Sequence, residues 1–224
     1  MRYHASPGTP ARLRRSPGRP AQATTLRLLS CGALTPLVFW MTTGLCGWML
    51  GDYQHLSRQV SDLGAVGTPS RVLFSTGLVT CAILSVGFLV GLLRSCRAER
   101  LSPVPAWLLL SFTVSIAGAG LFPLPWRLHG LLGSPAMLLV LSPLTAWRLW
   151  SKGRGLPNLN TLAGLAAFLM ALGFLAFVPS SLGAYPGLKQ RCFHAGWSLW
   201  FLYLSLGFRA LLRDRTPEHG PSRT

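Results

Sequence analysis

Long apolar runs separated by short polar connections set the pattern of this chain. There are six, at Leu28 to Leu50, Val72 to Leu93, Val104 to Phe122, Leu131 to Trp147, Leu162 to Val178 and Phe193 to Leu212. A hydrocarbon core of about 30 Å is crossed by roughly 20 apolar helical residues. The first two runs meet that length without one acidic or basic side chain. All six are continuous, without the in-and-out alternation of a barrel strand, so they predict helices whose backbone hydrogen bonds close internally. The expected fold is all-α, a polytopic membrane bundle of six transmembrane helices. Trp126 and Trp150 extend the fourth run, and Arg209 lies close enough to the end of the sixth for its long side chain to reach the interface.

The flanks divide the chain into three parts. Residues 1–27, rich in Arg, Pro, Gly and Ser and lacking apolar periodicity, read as a disordered basic N-terminal tail. Residues 28–212 form the transmembrane domain, and residues 213–224 a short polar C-terminal tail. The first apolar run is longer than a signal-peptide core and no small-x-small cleavage site follows before Asp52, so it is expected to be retained. The pair Arg14 and Arg15 lacks the apolar continuation of a twin-arginine export signal.

Charge changes the picture by its placement. Half of the residues are hydrophobic and 12% are charged, a balance too apolar for disorder and too poor in charge for a water-soluble surface. The net charge of +16 invites a phosphate-binding reading. The basic residues sit at helix flanks and in the tails, however, where membrane orientation and anionic lipid already account for them. The expected partners are the lipid bilayer, with anionic lipid near the basic tails, and no nucleic acid. Nothing in the sequence points to a protein partner. Of the 21 Lys and Arg residues, sixteen fall on the side of the two tails and the loops 94–103 and 148–158, and five on the other. The positive-inside rule then places both termini in the cytoplasm, with the loops Gly51 to Arg71, Pro123 to Gly130 and Pro179 to Arg191 facing outward.

That sidedness gathers the candidate chemistry on one face. The outward loops supply a polar cluster of Ser57, Ser61, Asp62, His129, Gln190 and Arg191, in which Asp62 is expected to pair with Arg191 or His129. Asp52 to Pro69 reads as a short amphipathic helix along the membrane surface, with Ser57, Ser61 and Gly64 on one face, Leu56, Val60 and Leu63 as its apolar edge, and Gly64 or Gly67 and Pro69 ending it. His55, His129 and His194 are weak metal candidates. With Asp62 they have the composition of a metal-dependent hydrolase site, but no HxxxH or HExxH spacing holds two ligands on one helix face. The cysteines, Cys31, Cys46, Cys81, Cys96 and Cys192, form no CxxC pair and read as small packing residues. No cofactor is implied.

The segment from Tyr53 to Pro69 also carries a resemblance. Its pattern Tyr-x-His-Leu-Ser-x-x-x-Ser-x-Leu-Gly-Ala-x-Gly-x-Pro resembles the first outward loop of the prokaryotic membrane family known as domain of unknown function 998. Gly120 to Pro123 followed by His129 is similar to that family's Phe-Pro motif, and Gly187, Gln190 and Arg191 to its Gly-x-x-Gln-Arg entry into the last helix. One departure is that Leu124 and Pro125 follow the Phe-Pro pair where the family often has an acidic residue. The resemblance implies a six-helix bundle in the inner membrane of a prokaryote and no established reaction. The expected function is thus an integral membrane protein of unassigned biochemical role with a polar site on its outward face. The alternatives are a membrane-embedded metal-dependent hydrolase and a small transporter or lipid-handling protein. Pro36, Gly118, Gly120, Pro135 and Pro143 read as close packing and kinks within spans.

Overall fold

The computed structural model describes residues 19–151, 155–175 and 185–214. Among them the α-helices are α1 (Arg19–Leu50), α2 (Arg71–Glu99), α3 (Val104–Trp107), α4 (Leu109–Leu121), α5 (Arg127–Gly133), α6 (Leu141–Trp150), α7 (Leu159–Phe174) and α8 (Pro186–Arg213). Val60–Gly64 and Ser134–Val140 are 3-10 helix. Helices α3 and α4 form the third span, and α5, the 3-10 stretch and α6 form the fourth, with Pro135 near the start of the 3-10 turn.

The spans close into a ring in chain order. Helix α1 packs on α2, α2 on α4, α4 on 134–140, the fourth span on α7, α7 on α8, and α8 back on α1. Glycines let several of these pairs approach closely, the usual device where lipid removes the hydrophobic drive between helices. A Cβ on Gly196 of α8 would stand 2.7 Å from the Met170 backbone nitrogen and 2.8 Å from the Ala166 oxygen. One on Gly91 of α2 would stand 3.0 Å from the Leu29 nitrogen of α1. Phe88, Phe112, Trp197, Trp200 and Phe201 fill the ring's interior. Several of its polar atoms are paired across helices: Trp200 Nε1 donates to Ser142 Oγ at 2.9 Å, Ser142 Oγ to Pro105 O at 2.7 Å, and Ser205 Oγ to Leu29 O at 2.8 Å.

The outside of the ring is apolar. Trp48 is 80% exposed, Val72 76%, Ile83 68% and Leu131 67%, a surface that water would penalise and hydrocarbon accepts. Five spans, Pro20–Leu50, Arg71–Glu99, Val104–Leu121, Arg127–Trp150 and Pro186–Arg213, are long and apolar enough to cross a membrane. Helix α7 is shorter, with 16 described residues. The chain is a multi-pass membrane protein.

Several expected boundaries move. Helix α1 begins at Arg19, nine positions before Leu28, so residues 19–27 of the expected tail are helical. Pro20 opens that turn without losing a needed N–H, and Gln22 Nε2 donates to Leu212 O at 2.7 Å. Residues 1–18 and most of the C-terminal tail, 215–224, lie outside the described residues, as do 176–178 of the fifth run. Arg127 and His129 belong to α5, and Lys189, Gln190 and Arg191 to the first turns of α8, where loops were expected. Hydropathy ends a span where polar residues begin. His129, Lys189, Gln190 and Arg191 stay helical with side chains that meet protein rather than lipid.

The segment 52–69 departs further from expectation. It is turns and one five-residue 3-10 helix instead of an amphipathic α-helix. Its carbonyls take tertiary partners that compete with helical bonding: Leu56 O accepts from Leu188 N at 2.8 Å, Gln59 O from Tyr53 Oη at 2.7 Å, and Leu63 O from Ser70 Oγ at 2.6 Å. Val60 and Leu63 are buried as the expected apolar edge, while Leu56 is exposed.

Candidate functional site

The first two of the loops expected on one face meet at one end of the ring together with the start of α8, while residues 179–184 of the third lie outside the described residues. Val66 N donates to Leu124 O at 2.8 Å, joining the first loop to the second, and Leu188 N to Leu56 O joins the first to α8. The first loop is held on α8 by a clasp centred on Arg191. Its Nη1 donates to Arg58 O and to Gly187 O, both at 3.1 Å, while Nη2 donates to Tyr53 Oη at 3.1 Å and to His55 Nδ1 at 3.0 Å. Gln190 adds a second tie, its Oε1 accepting from Val60 N at 2.6 Å. The guanidinium groups of Arg58 and Arg191 lie 5.2 and 5.6 Å from the centre of the Tyr53 ring, within cation–π range.

This clasp requires a neutral His55, because its Nδ1 accepts from a cation. Loss of solvent around the ring, reinforced by the Arg191 charge, lowers the His55 pKa below its ordinary 6.5. Burial raises that of Tyr53, which keeps its hydroxyl proton for Gln59 O. Gly187 sets the approach distance. A Cβ there would meet the backbone oxygen of Arg58 and stand 2.6 Å from that of His55.

Beneath the clasp, inside the ring, lies a cavity of about 500 Å³. All six spans line it, through Phe39, Phe74, Phe112, Met137, Phe174 and Trp197 among others, and Gln59, Val60 and Ser61 of the first loop form part of its wall. Among the described residues its polar lining is Gln59, Ser61, Ser115, His129, Ser134, Gln190 and His194, with no Asp, Glu, Lys or Arg. Two of these carry buried polar atoms that have no hydrogen-bond partner among the described residues, Ser115 Oγ and His194 Nε2. On the fourth span, Gly130 and Gly133 line the cavity with open space where a Cβ would stand.

The predicted site residues therefore separate into two groups. Ser61, His129 and Gln190 reach the cavity, and Arg191 works in the clasp. Asp62 takes neither expected partner: its Oδ2 accepts from Gln59 N at 3.0 Å as a cap of the 3-10 turn and lies 4.0 Å from Arg58 Nε. A carboxylate three positions after a turn's first free N–H is satisfied locally before any distant cation is needed. Ser57 is exposed and outside the cavity lining. The three histidines face three different tasks. His55 serves the clasp, His129 Nδ1 donates to Phe122 O at 2.8 Å, and His194 Nδ1 accepts from Trp197 Nε1 at 2.9 Å. Among the described residues no three metal-ligating side chains gather. Sequence reasoning passed over Ser115 and Trp197. A hydroxyl inside an otherwise apolar run, and a donor three residues after His194 on one helix face, were the available signals.

The profile of the family described as protein of unknown function (DUF998) matches residues 33–207, most of the chain. The chain belongs to the DUF998 family. No curated protein and no solved structure matches it. The residues that carried the DUF998 resemblance in the sequence now have physical tasks. Tyr53 and His55 receive Arg191, Gly187 admits the loop backbone, and Gln190 and Arg191 hold that backbone down. The departure after Phe122 and Pro123 also has a place, since Leu124 O accepts from Val66 N and its side chain lines the cavity.

Proposed function

We propose that this protein binds an uncharged, mostly apolar small molecule in the cavity of its helical ring, as a lipid-handling membrane protein. The observation that carries this reading is the combination of volume and lining: about 500 Å³, six aromatic or long apolar walls, and a few polar groups without a charge. Ligand sites of roughly 300 to 1,000 Å³ are built this way, with apolar walls giving affinity and a few polar atoms giving orientation. The separation of the three histidines favours this over the hydrolase alternative, and the uncharged lining favours it over ion-coupled transport.

Filling the cavity tests the reading. Gly133→Phe directs a ring into space that no neighbour occupies, so the variant is expected to fold and to lose any stoichiometric apolar molecule that copurifies with the wild type. Native mass spectrometry of both proteins checks this. Equal retention by the variant would remove the cavity from the account.

The reading further places both termini in the cytoplasm and the clasp end outward, in the inner membrane of a prokaryote, with anionic lipid around the basic ends. The sixteen-to-five division of Lys and Arg supports that orientation. Reporter fusions after Arg97 and after Arg213 are expected to give cytoplasmic signals. A periplasmic signal at Arg97 would reverse the sidedness and leave the cavity reading intact.

A further inference from the structure

One contact of the clasp joins two basic groups. A guanidinium can only donate, so the 3.0 Å contact from Arg191 Nη2 makes His55 Nδ1 the acceptor and leaves the imidazole neutral, with its proton on Nε2. A second proton, added at Nδ1, removes that lone pair and sets two cations against each other at the same distance. The ring is packed where it feels the change. A Cβ on Gly47 of α1 would stand 2.7 Å from His55 Cε1 and 2.9 Å from Nε2, and Tyr53 meets the imidazole edge to face with ring centres 4.9 Å apart. The residue is nonetheless exposed, so the proton comes directly from solvent.

The charges around His55 come from three elements. From α8 comes Arg191, while Lys189 Nζ donates to Leu175 O at 3.0 Å. From α1 comes no charged side chain, since residues 28–50 carry none, and the thiol of Cys46 beside Gly47 is directed at Ser70 O. From the loop come Tyr53 and Arg58, and the carboxylates of Asp52 and Asp62 each lie 4.0 Å from Arg58. The charge in direct contact with His55 is therefore that of Arg191, and it is positive. Loss of solvent and that charge together hold the clasped imidazole below its ordinary pKa of 6.5. A loop that has left α8 recovers the ordinary value and binds a proton more readily. The clasped form is thus favoured in full above about pH 6.5 and loses ground as pH falls from there towards the lowered value.

We infer that His55 is a proton-operated release for the clasp: its protonation frees the first loop from α8 and opens the part of the cavity wall formed by Gln59, Val60 and Ser61. The effect spreads beyond one hydrogen bond because the guanidinium repelled by His55 is also the donor to Arg58 O and to Tyr53 Oη. The clasp geometry carries this inference, whichever molecule the cavity holds.

Limited proteolysis of the full chain in detergent tests it, with an arginine-specific protease and mass spectrometry of the cut after Arg58. Wild type and variants are compared at the same pH, 8 and 5.5, so that the protease's own pH profile cancels. His55→Asn keeps an acceptor near the position of Nδ1 and does not titrate. The wild type is expected to be cut as slowly as His55→Asn at pH 8 and about ten-fold faster than it at pH 5.5, the loss of one hydrogen bond to a charged group. His55→Lys, permanently cationic, is expected to be cut about ten-fold faster than the wild type at pH 8, and Arg191→Ala rapidly at both pH values. If His55→Asn itself fails to hold the loop at pH 8, His55→Lys against the wild type carries the test. An equal pH response in wild type and a loop-holding His55→Asn assigns the response to another group and overturns the release. Full protection of His55→Lys at pH 8 overturns it too, since a charged side chain then swings into water and the clasp holds without it.

Discussion

Gly187→Ala is expected to lower the melting temperature of the purified protein by about 6 to 12 °C, from a loss of about 3 kcal/mol. The new methyl group meets the Arg58 oxygen and would stand 2.6 Å from the His55 oxygen, and both are main-chain atoms of a loop that cannot swing aside like a long side chain. Relieving the clash means lifting the loop from α8. That breaks the Leu188 to Leu56 bond and lengthens the reach of Arg191 to Arg58 O and Tyr53 Oη. Overpacking alone costs about 1 to 3 kcal/mol, and each hydrogen bond lost adds about 1. A thermal scan in detergent measures the sum. Unchanged melting would mean that the close approach of loop and helix does not exist in the folded protein.

Arg191→Ala has the second large effect expected, about 2 to 4 kcal/mol, because one planar fork satisfies four acceptors on two elements. The shape of the group matters as much as its charge. Arg191→Lys is expected to recover less than half of the stability, since an ammonium group cannot span Arg58 O, Tyr53 Oη and His55 Nδ1 at once. Limited proteolysis gives the second readout. Release of the loop exposes the chain at Arg58, so trypsin should cut there in Arg191→Ala well before it cuts the wild type. Full rescue by lysine, in stability and in protection, would refute the clasp geometry and leave only a local need for positive charge.

How much of this was legible beforehand follows the range of each interaction. The helical spans were readable because lipid solvent imposes a one-dimensional rule: an apolar run of sufficient length becomes a span. The same rule misplaced the starts of α5 and α8, because Lys189, Gln190 and Arg191 look like loop to a hydropathy window. Lys189 Nζ donates to Leu175 O and Gln190 accepts from Val60 N, partners that lie 14 and 130 residues away. Asp62 failed as a distant partner for the opposite reason. Its Oδ2 was claimed by a backbone N–H three residues upstream.

By itself, the sequence determined the solvent of this protein and its helical class, and the pattern shared with DUF998 marked Tyr53, His55, Gly187, Gln190 and Arg191 without assigning them contacts. Each of these depends on composition along the chain or on motifs of fixed spacing. Only the tertiary structure decided that α8 closes the ring against α1, that Arg191 rather than Asp62 organises the loop, and that Ser115 and His194, 79 positions apart, line one cavity. A cavity is the space left when helices from distant parts of the chain pack imperfectly. Its shape is set by which side chains fail to meet, and no local pattern records that.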